Sequence, residues 1–260
     1  MIKILTWNIA GLPFPFNNFQ DNPVKRMKSI IKLINKSNPS IICLQEVFTK
    51  ELKKQINEHL HNLKYNVIIS NNPSNIFTVN GGLLIASKYK ILKIDSINYK
   101  NKYGEDYFSD KGVLKIKVNI EGNIIDIYNT HLNADPIIGS NGNKTRLKQY
   151  QEFFEFIDKS VSNIIICGDF NENINSISYN KFINELNKIY PYTINKNGLC
   201  TFISTNECLD HILLFSKNNI IDSTKNWTIK KKIINYSDHY PLFTKRSEEH
   251  TSELQSPMYL

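Results

Sequence analysis

The segment SIICLQEV, residues 40–47, is an unbroken apolar run that ends in a carboxylate. A strand with one face in water alternates apolar and polar residues, whereas a strand covered on both faces has no need to alternate. The run therefore predicts a strand that is buried on both faces, and this requires further layers of structure on either side of its sheet.

Other strand-like segments and four helical patterns surround this run. Strands are predicted at residues 3–9, 163–170, 208–215 and 239–244, with a series of hairpin-forming strands between residues 65 and 132. Helices are predicted at residues 23–37, 50–60, 144–160 and 178–188, the third with an apolar stripe of Leu147, Tyr150, Phe154, Ile157 and Val161. This mixture predicts an α/β fold, a four-layer sandwich of two packed mixed or antiparallel β-sheets flanked by α-helices.

Domain organisation follows from the absence of internal divisions. No repeat and no linker interrupts the sequence, so residues 1–245 are predicted to form one domain. The last 15 residues, RSEEHTSELQSPMYL, contain no Asn, Ile or Lys, unlike the rest of the chain. Their first eleven residues resemble the in-frame translation of a sequencing-adapter oligonucleotide, and residues 246–260 are predicted to be a non-native tail. A genuine polar tail is the alternative.

The balance of charges favours an anionic partner. The chain has 32 Lys and Arg residues against 24 Asp and Glu residues, a formal net charge of +8, which suits nucleic acid, a phosphorylated lipid or a membrane surface. Because Lys, Asn and Ile are abundant along the whole chain, the charge alone does not select among these partners.

The cysteines and the lack of targeting signals bear on the compartment. Cys43 and Cys167 lie in apolar runs and are predicted to be buried, while Cys200 and Cys208 could pair with each other. The sequence has no CxxC pattern and no secretory leader. It also has no apolar run approaching about 18 residues. We therefore expect a cytoplasmic monomer with reduced cysteines, no membrane span and no protein partner.

Polar side chains stand where apolar strands end. Strand interiors hold such residues in place, and loops at the strand ends project them into a shared cleft. A single polar strand end is usually solvated, but five in one domain, with residue types suited to phosphate chemistry, predict an active site. These residues are Asn8 after KILTW, Glu46 after IICLQ, His131 after DIYNT, Asp169 and Asn171 after IIICG, and Asp238 and His239 before YPLF.

Hydrolysis of a phosphodiester requires charge neutralisation at the phosphoryl oxygens and a base that deprotonates water. Glu46 with Asp238 or Asn8 supplies oxygen ligands for Mg²⁺, and Mn²⁺ is the alternative cation. The histidines form no HExxH zinc pattern. His239 is the predicted base because the ordinary pKa of imidazole lies near neutrality. Asp210, an acid inside an apolar strand, is predicted to orient it.

Six motifs stand in the order TWNIAGLP, LQEV, NTHLNAD, GDFNEN, LDHIL and SDHYPL. Together they resemble the endonuclease/exonuclease/phosphatase superfamily of metal-dependent hydrolases, which shares the fold of pancreatic-type deoxyribonuclease. The resemblance covers nearly all of residues 1–245. It implies these roles: Glu46 and Asn8 at a Mg²⁺ site, Asp238 in the metal-side network, Asp169 and Asn171 positioning water and phosphate, His131 on the phosphate or leaving group, and Asp210 orienting the base His239.

Local features separate the possible substrates. DKGVLKIKV, NTHLNAD, and Arg146 with Gln149 resemble neutral sphingomyelinases, which implies a phospholipid headgroup hydrolase with Arg146 among the substrate-binding residues. Asp110 and Asn133 depart from the commonest sphingomyelinase residues, asparagine and glutamine. A DNA endonuclease, an exonuclease or a tyrosyl-DNA phosphodiesterase is the alternative, although the last group usually has threonine where Phe170 stands. A binding module without turnover is disfavoured, because the chain retains the base and the metal acid.

The loop GLPFPFNNF, residues 11–19, follows closely after Asn8. If its aromatic rings are exposed beside a basic surface, they suit peripheral contact with a bilayer interface. The alternative is that the rings pack into the core.

Overall fold

The computed structural model describes residues 2–12, 23–70, 78–136, 142–194, 199–218, 224–228 and 236–246. Its helices are α1 (Pro23–Ser37), α2 (Lys50–Asn62), α3 (Gly142–Phe156) and α4 (Ile177–Ile189), with a 3-10 helix at Gly104–Phe108. Its strands are β1 (Ile2–Asn8), β2 (Ile41–Gln45), β3 (Asn66–Ile69), β4 (Val79–Asn80), β5 (Leu84–Ser87), β6 (Ile91–Asn98), β7 (Ser109–Asp110), β8 (Gly112–Ile120), β9 (Asn123–His131), β10 (Asn163–Asp169), β11 (Tyr192–Ile194), β12 (Asp210–Ser216), β13 (Thr224–Thr228) and β14 (Leu242–Arg246).

Two six-stranded sheets form the centre of the fold. The first has the strand order β13-β14-β1-β2-β5-β3, and the second has the order β11-β12-β10-β9-β8-β6. Both are mixed sheets, because β1 is parallel to β2 but antiparallel to β14, and β10 is parallel to β9 but antiparallel to β12. The short strands β4 and β7 form a separate parallel pair.

Three apolar clusters separate four layers. The sheets pack face to face through one cluster, α1 and α2 cover the outer face of the first sheet, and α3 and α4 cover the outer face of the second. All five residues of β2 are buried: Ile41 and Cys43 face the other sheet, and Ile42 and Leu44 face the helices. The predicted four-layer sandwich and the predicted doubly buried strand are confirmed.

The third helix differs from its prediction. It starts at Gly142 and ends at Phe156, and Arg146 and Gln149 lie on its buried face, whereas Leu147 is only half-buried. The reason is that the first turns of α3 pack on a polar loop, where Gln149 Oε1 accepts a hydrogen bond from the backbone N–H of Asn133 at 2.9 Å. An apolar stripe predicts only the part of a helix that covers an apolar surface.

Strand directions bring six strand ends to one edge of the sandwich. The carboxyl ends of the parallel pairs β1 with β2 and β9 with β10 lie at this edge. The amino ends of β12 and β14 lie there too, because each is antiparallel to its neighbour. The polar strand ends identified in the sequence therefore share one edge.

Two predictions concern residues at or beyond the limits of the described parts of the chain. The boundary predicted after Lys245 falls one residue before the end of β14, where Arg246 pairs with Ile2. The remainder of the predicted tail, and Phe14, Phe16 and Phe19 of the aromatic loop, lie outside the described residues. In the parts of the chain that the structure describes, no helix combines the length and the apolar character that crossing a bilayer requires.

Replacing Gly168 by alanine is expected to lower the free energy of unfolding by about 3 kcal/mol or more. Gly168 has a φ of +146°, and a Cβ there would lie 2.0 Å from the backbone oxygen of Thr130 on β9. Gly122→Ala is the matched control, because its φ is also positive (+86°) but no described atom lies within 4 Å of the added carbon. Urea denaturation measures both variants, and equal losses would show that the Thr130 contact is not the cause.

Candidate active site

The acidic, amide and imidazole side chains predicted from the strand ends meet where the two sheets face each other. In the second sheet the backbone of Asp169 pairs with His131 on β9 and with Asp210 on β12. In the first sheet Asn8 ends β1, and Glu46 follows the end of its parallel neighbour β2. Each sheet therefore contributes one half of a common site.

His239 is fixed on its backbone and on its ring. Its backbone N–H donates to Ser237 Oγ at 3.1 Å, and its carbonyl accepts from Trp7 Nε1 at 2.8 Å. On the ring, Nδ1 lies 2.7 Å from Asp210 Oδ2, which is the predicted orienting contact. Nε2 is then directed towards Asp169, whose Oδ2 lies 3.7 Å away.

Three carboxylates determine the charge state of His239. Burial by itself would lower the pKa of the imidazole, but the charges of Asp210, Asp169 and Asp238 together raise that pKa to about 10. His131 behaves in the opposite way: burial and the positive charges of Lys111 and His239 lower its pKa well below the ordinary value. The site thus holds one imidazole that is charged at neutral pH and one that is neutral.

Asn8 connects the two halves of the site. Its Nδ2 donates hydrogen bonds to Glu46 Oε1 and to Asp169 Oδ2, both at 3.0 Å. Its Oδ1 accepts from the backbone N–H of Ala10 at 3.0 Å. In this arrangement Asn8 positions two carboxylates. The metal-ligand role predicted for Asn8 stays a prediction, and it requires the amide to turn.

Asp169 is held from both sides of its carboxyl group. Asn171 donates its backbone N–H to Asp169 Oδ1 at 2.8 Å and its side-chain amide to the Leu132 carbonyl at 2.9 Å. Burial raises the pKa of Asp169, and the Asp210 charge adds to this effect, while the His239 charge opposes it. Asn171 has a φ of +48° and Glu46 a φ of +62°, conformations that carry strain and often accompany functional sites.

Glu46 and Asp238 form the acidic side of the site. Burial first and the Asp238 charge second raise the pKa of Glu46 to about 7, with the Asn8 amide opposing this rise. The carboxylate oxygens of Glu46 and Asp238 are ligands that suit a divalent cation of the hard, oxygen-binding type, and its positive charge would offset the effect of Asp238 on Glu46. A second group of possible metal ligands consists of Asp169, Asp210 and His239, whose ligand atoms lie within 4.8 Å of one another. In this group, however, Asp210 and His239 already bind each other at 2.7 Å.

Sequence reasoning missed three residues that belong to the site. The Lys111 ammonium is buried and donates to the Leu132 carbonyl at 3.1 Å and to Asp106 Oδ2 at 2.8 Å. Ser237 donates to the backbone carbonyl of Asn8 at 2.6 Å, and the Phe202 ring lies 5.0 Å from the His239 ring. Lys111 had a usable signal, since it precedes an apolar strand in DKGVLKIKV; Ser237 and Phe202 act through contacts that the sequence does not reveal.

Arg146 lies beside this cluster and makes its own set of contacts. It is 1% exposed, and its guanidinium binds Asp135 Oδ1 at 2.9 Å and the Asn133 carbonyl at 3.0 Å. A pocket next to Asn171 includes Arg146 in its wall. The substrate-binding role of Arg146 stays a prediction, because its contacts with Asn133 and Asp135 hold the loop that follows β9.

Comparison with known proteins identifies the family of this chain. Residues 5–239 match the model of the Endonuclease/Exonuclease/phosphatase family, and the chain belongs to that family. It is 27% identical to Sphingomyelinase C 2 of Leptospira interrogans serogroup Icterohaemorrhagiae serovar Lai, in an alignment covering 93% of this chain and 45% of the relative. The chain spans about half the length of the curated relatives that it matches first.

Solved structures share the fold. A Staphylococcus aureus beta toxin mutant (F277A, P278A) with bound magnesium ions has a TM-score of 0.77 and 19% identity, covering 95% of this chain and 99% of the toxin. A humanized D. rerio TDP2 has a TM-score of 0.67 and 14% identity, covering 95% of this chain and 99% of that protein. Both likenesses concern the fold alone.

Replacing Asp210 by asparagine is expected to flatten the pH dependence of stability in EDTA. The pKa of His239 is about 10 in the folded chain and about 6.5 when unfolded. The imidazolium therefore contributes stability that is complete below about pH 6.5 and lost as the pH rises through 10. The variant should lose less free energy of unfolding between pH 6.5 and 10, by about 1 kcal/mol or more.

Urea denaturation across this pH range measures the effect. Asp95→Asn is the control, because Asp95 is exposed and distant in sequence from the site. If Asp210→Asn and Asp95→Asn show the same pH dependence, Asp210 does not hold the charge on His239.

Proposed function

We propose that this protein is a Mg²⁺-dependent phosphodiesterase that hydrolyses a sphingomyelin-like phospholipid headgroup. The contact of 2.7 Å between His239 Nδ1 and Asp210 Oδ2, in a cluster that also holds Asp169, Glu46 and Asp238, is the observation that carries the proposal. It supplies an oriented imidazole in the same cluster as acidic oxygen atoms that can hold a cation, as phosphodiester hydrolysis requires.

The side chains of the site have distinct roles in the proposed reaction. Asp210 holds the Nδ1–H of His239, so that Nε2 can take a proton from the attacking water. Asp169 and Asn171 position that water and the phosphate. Neutral His131 donates a hydrogen bond to a phosphoryl or leaving-group oxygen.

The cation would be held by oxygen atoms of Glu46 and Asp238. When bound, Mg²⁺, or Mn²⁺ in its place, would neutralise the charge that develops on the phosphoryl oxygens. A cation held there would add positive charge beside His239 and would oppose the carboxylates that raise the pKa of its imidazole. Nε2 acts as a base in the deprotonated form of the ring.

The lipid substrate is supported by relatives and by local sequence. The curated relatives include proteins named sphingomyelinases from Leptospira interrogans and Drosophila melanogaster. The second candidate is a DNA-directed or tyrosyl-DNA phosphodiesterase, which the TDP2 likeness in fold favours. A net charge of +8 suits either anionic substrate.

His239→Ala is expected to lower kcat by about 10³-fold, because general-base catalysis is lost. His61→Ala is the control, since His61 is exposed on α2. One preparation of each protein is assayed with sphingomyelin vesicles, supercoiled plasmid and a 5′-tyrosyl oligonucleotide. Near-normal rates in His239→Ala would remove the base assignment, and plasmid nicking with intact lipid would replace the lipid substrate by DNA.

Glu46→Gln is expected to weaken Mg²⁺ binding by about tenfold or more and to lower activity in parallel, because an anionic oxygen ligand is lost. Calorimetric titration with Mg²⁺ measures the affinity without substrate, and a metal-dependence curve measures the activity. Glu58→Gln, an exposed site on α2, should leave both unchanged. Wild-type Mg²⁺ affinity in Glu46→Gln would contradict the assignment of this ligand.

A further inference from the structure

Cys200 and Cys208 flank a short hairpin beside the active site. Within this segment, residues 200–208, the backbone N–H groups of Thr201 and Phe202 both donate to the Glu207 carbonyl at 3.0 Å. The turn brings the two cysteine Sγ atoms to 2.8 Å, and both residues are partly exposed. The segment, called the Cys hairpin below, thus carries two thiols in direct contact within reach of solutes.

The Cys hairpin contacts the residues that position the base. The Tyr240 N–H donates to the Thr201 carbonyl at 2.7 Å, and the Ile203 N–H donates to the Asp238 carbonyl at 2.9 Å. The Asp210 N–H donates to Thr201 Oγ1 at 3.2 Å. The Phe202 ring packs on the ring of His239, the residue between Asp238 and Tyr240. The hairpin therefore holds both the base and its orienting acid.

The other two cysteines provide a contrast within the same chain. Cys43 and Cys167 are both fully buried in the cluster between the sheets. Burial, with the adjacent Cys167 thiol, raises the pKa of Cys43 well above its usual range. Thiol–disulfide exchange needs an accessible thiolate, so this inner pair is protected from reagents that can reach the hairpin.

We propose that Cys200 and Cys208 form a reversible disulfide, by exchange with a small-molecule disulfide such as oxidised glutathione, and that this bond clamps the Cys hairpin beside His239. One protein thiolate attacks a sulfur of the oxidant and releases one reduced thiol. The second protein thiolate then attacks the resulting mixed disulfide and releases another. The Cys200–Cys208 bond replaces the bond of the oxidant, and two electrons and two protons pass to the two released thiols.

The bond stabilises the arrangement that already exists. The Sγ atoms are 2.8 Å apart and a disulfide bond is about 2.05 Å long, so bond formation needs a displacement of less than about 1 Å, while it restricts a nine-residue loop in the unfolded chain. The oxidised protein is expected to melt about 5 °C higher than the reduced protein. The amides of the hairpin should exchange hydrogen more slowly, and the contacts on His239 should be retained.

The test uses the full chain. Reduced protein is equilibrated with oxidised glutathione, remaining thiols are alkylated, and peptides are analysed by mass spectrometry. The expected result is a Cys200–Cys208 cross-link with the mass of two hydrogens lost, and alkylation of Cys43 and Cys167 after unfolding. Glutathione attached to Cys200 or Cys208 without a cross-link would overturn the proposal.

The clamping role of the Cys200–Cys208 bond is tested by measuring thermal stability. Cys200→Ser and Cys208→Ser should each abolish the difference in Tm between glutathione-treated and reduced protein, and the reduced wild type serves as the reference for correct folding. A cross-linked wild type with unchanged Tm and unchanged hydrogen exchange in the hairpin would overturn the clamping role. These readouts need no substrate, so they succeed or fail independently of the proposed phosphodiesterase activity.

Discussion

The backbone register of β10 places Asp169 opposite His131 on one side and opposite Asp210 on the other. A slip of one residue in either pairing would turn these side chains to the opposite face of the sheet. Gly168 allows β10 to approach β9 so closely that a Cβ would meet the Thr130 carbonyl. Strand pairing thus determines the position of Asp169 at the centre of the site, and the loops of the first sheet are arranged around this residue.

The site concentrates ionisable groups that would be costly to bury one at a time. Burial of an isolated charge costs several kcal/mol, and partners of opposite charge offset that cost. The pKa of His239 is raised because carboxylates surround it, whereas the pKa of His131 is lowered, first by burial and then by the positive charges of Lys111 and His239. Burial and the Asp238 charge raise the pKa of Glu46 to about 7, and a cation bound beside it would favour its charged form.

The sequence was sufficient for the layers and for much of the site. Continuous apolar runs predicted the buried strands, and an acid inside the apolar strand β12 predicted the Asp210 contact, because such an acid needs a partner. The apolar stripe correctly predicted the burial of Tyr150 and Ile157 but was wrong for the first turns of α3, since Arg146 and Gln149 are buried there by polar contacts that hydrophobic periodicity does not register. Ser237 and Phe202 were missed for the same reason: their importance arises from tertiary contacts.

The contacts of Trp7 and Ser237 join two segments that are far apart in the sequence. Trp7 Nε1 binds the His239 carbonyl across 232 residues of sequence, and Ser237 Oγ binds the Asn8 carbonyl across 229. A chain emerging from the ribosome can form β1 early, but the base and its supports arrive only with the segment that leads into β14. The site therefore stays incomplete until the segment that leads into β14 has been synthesised.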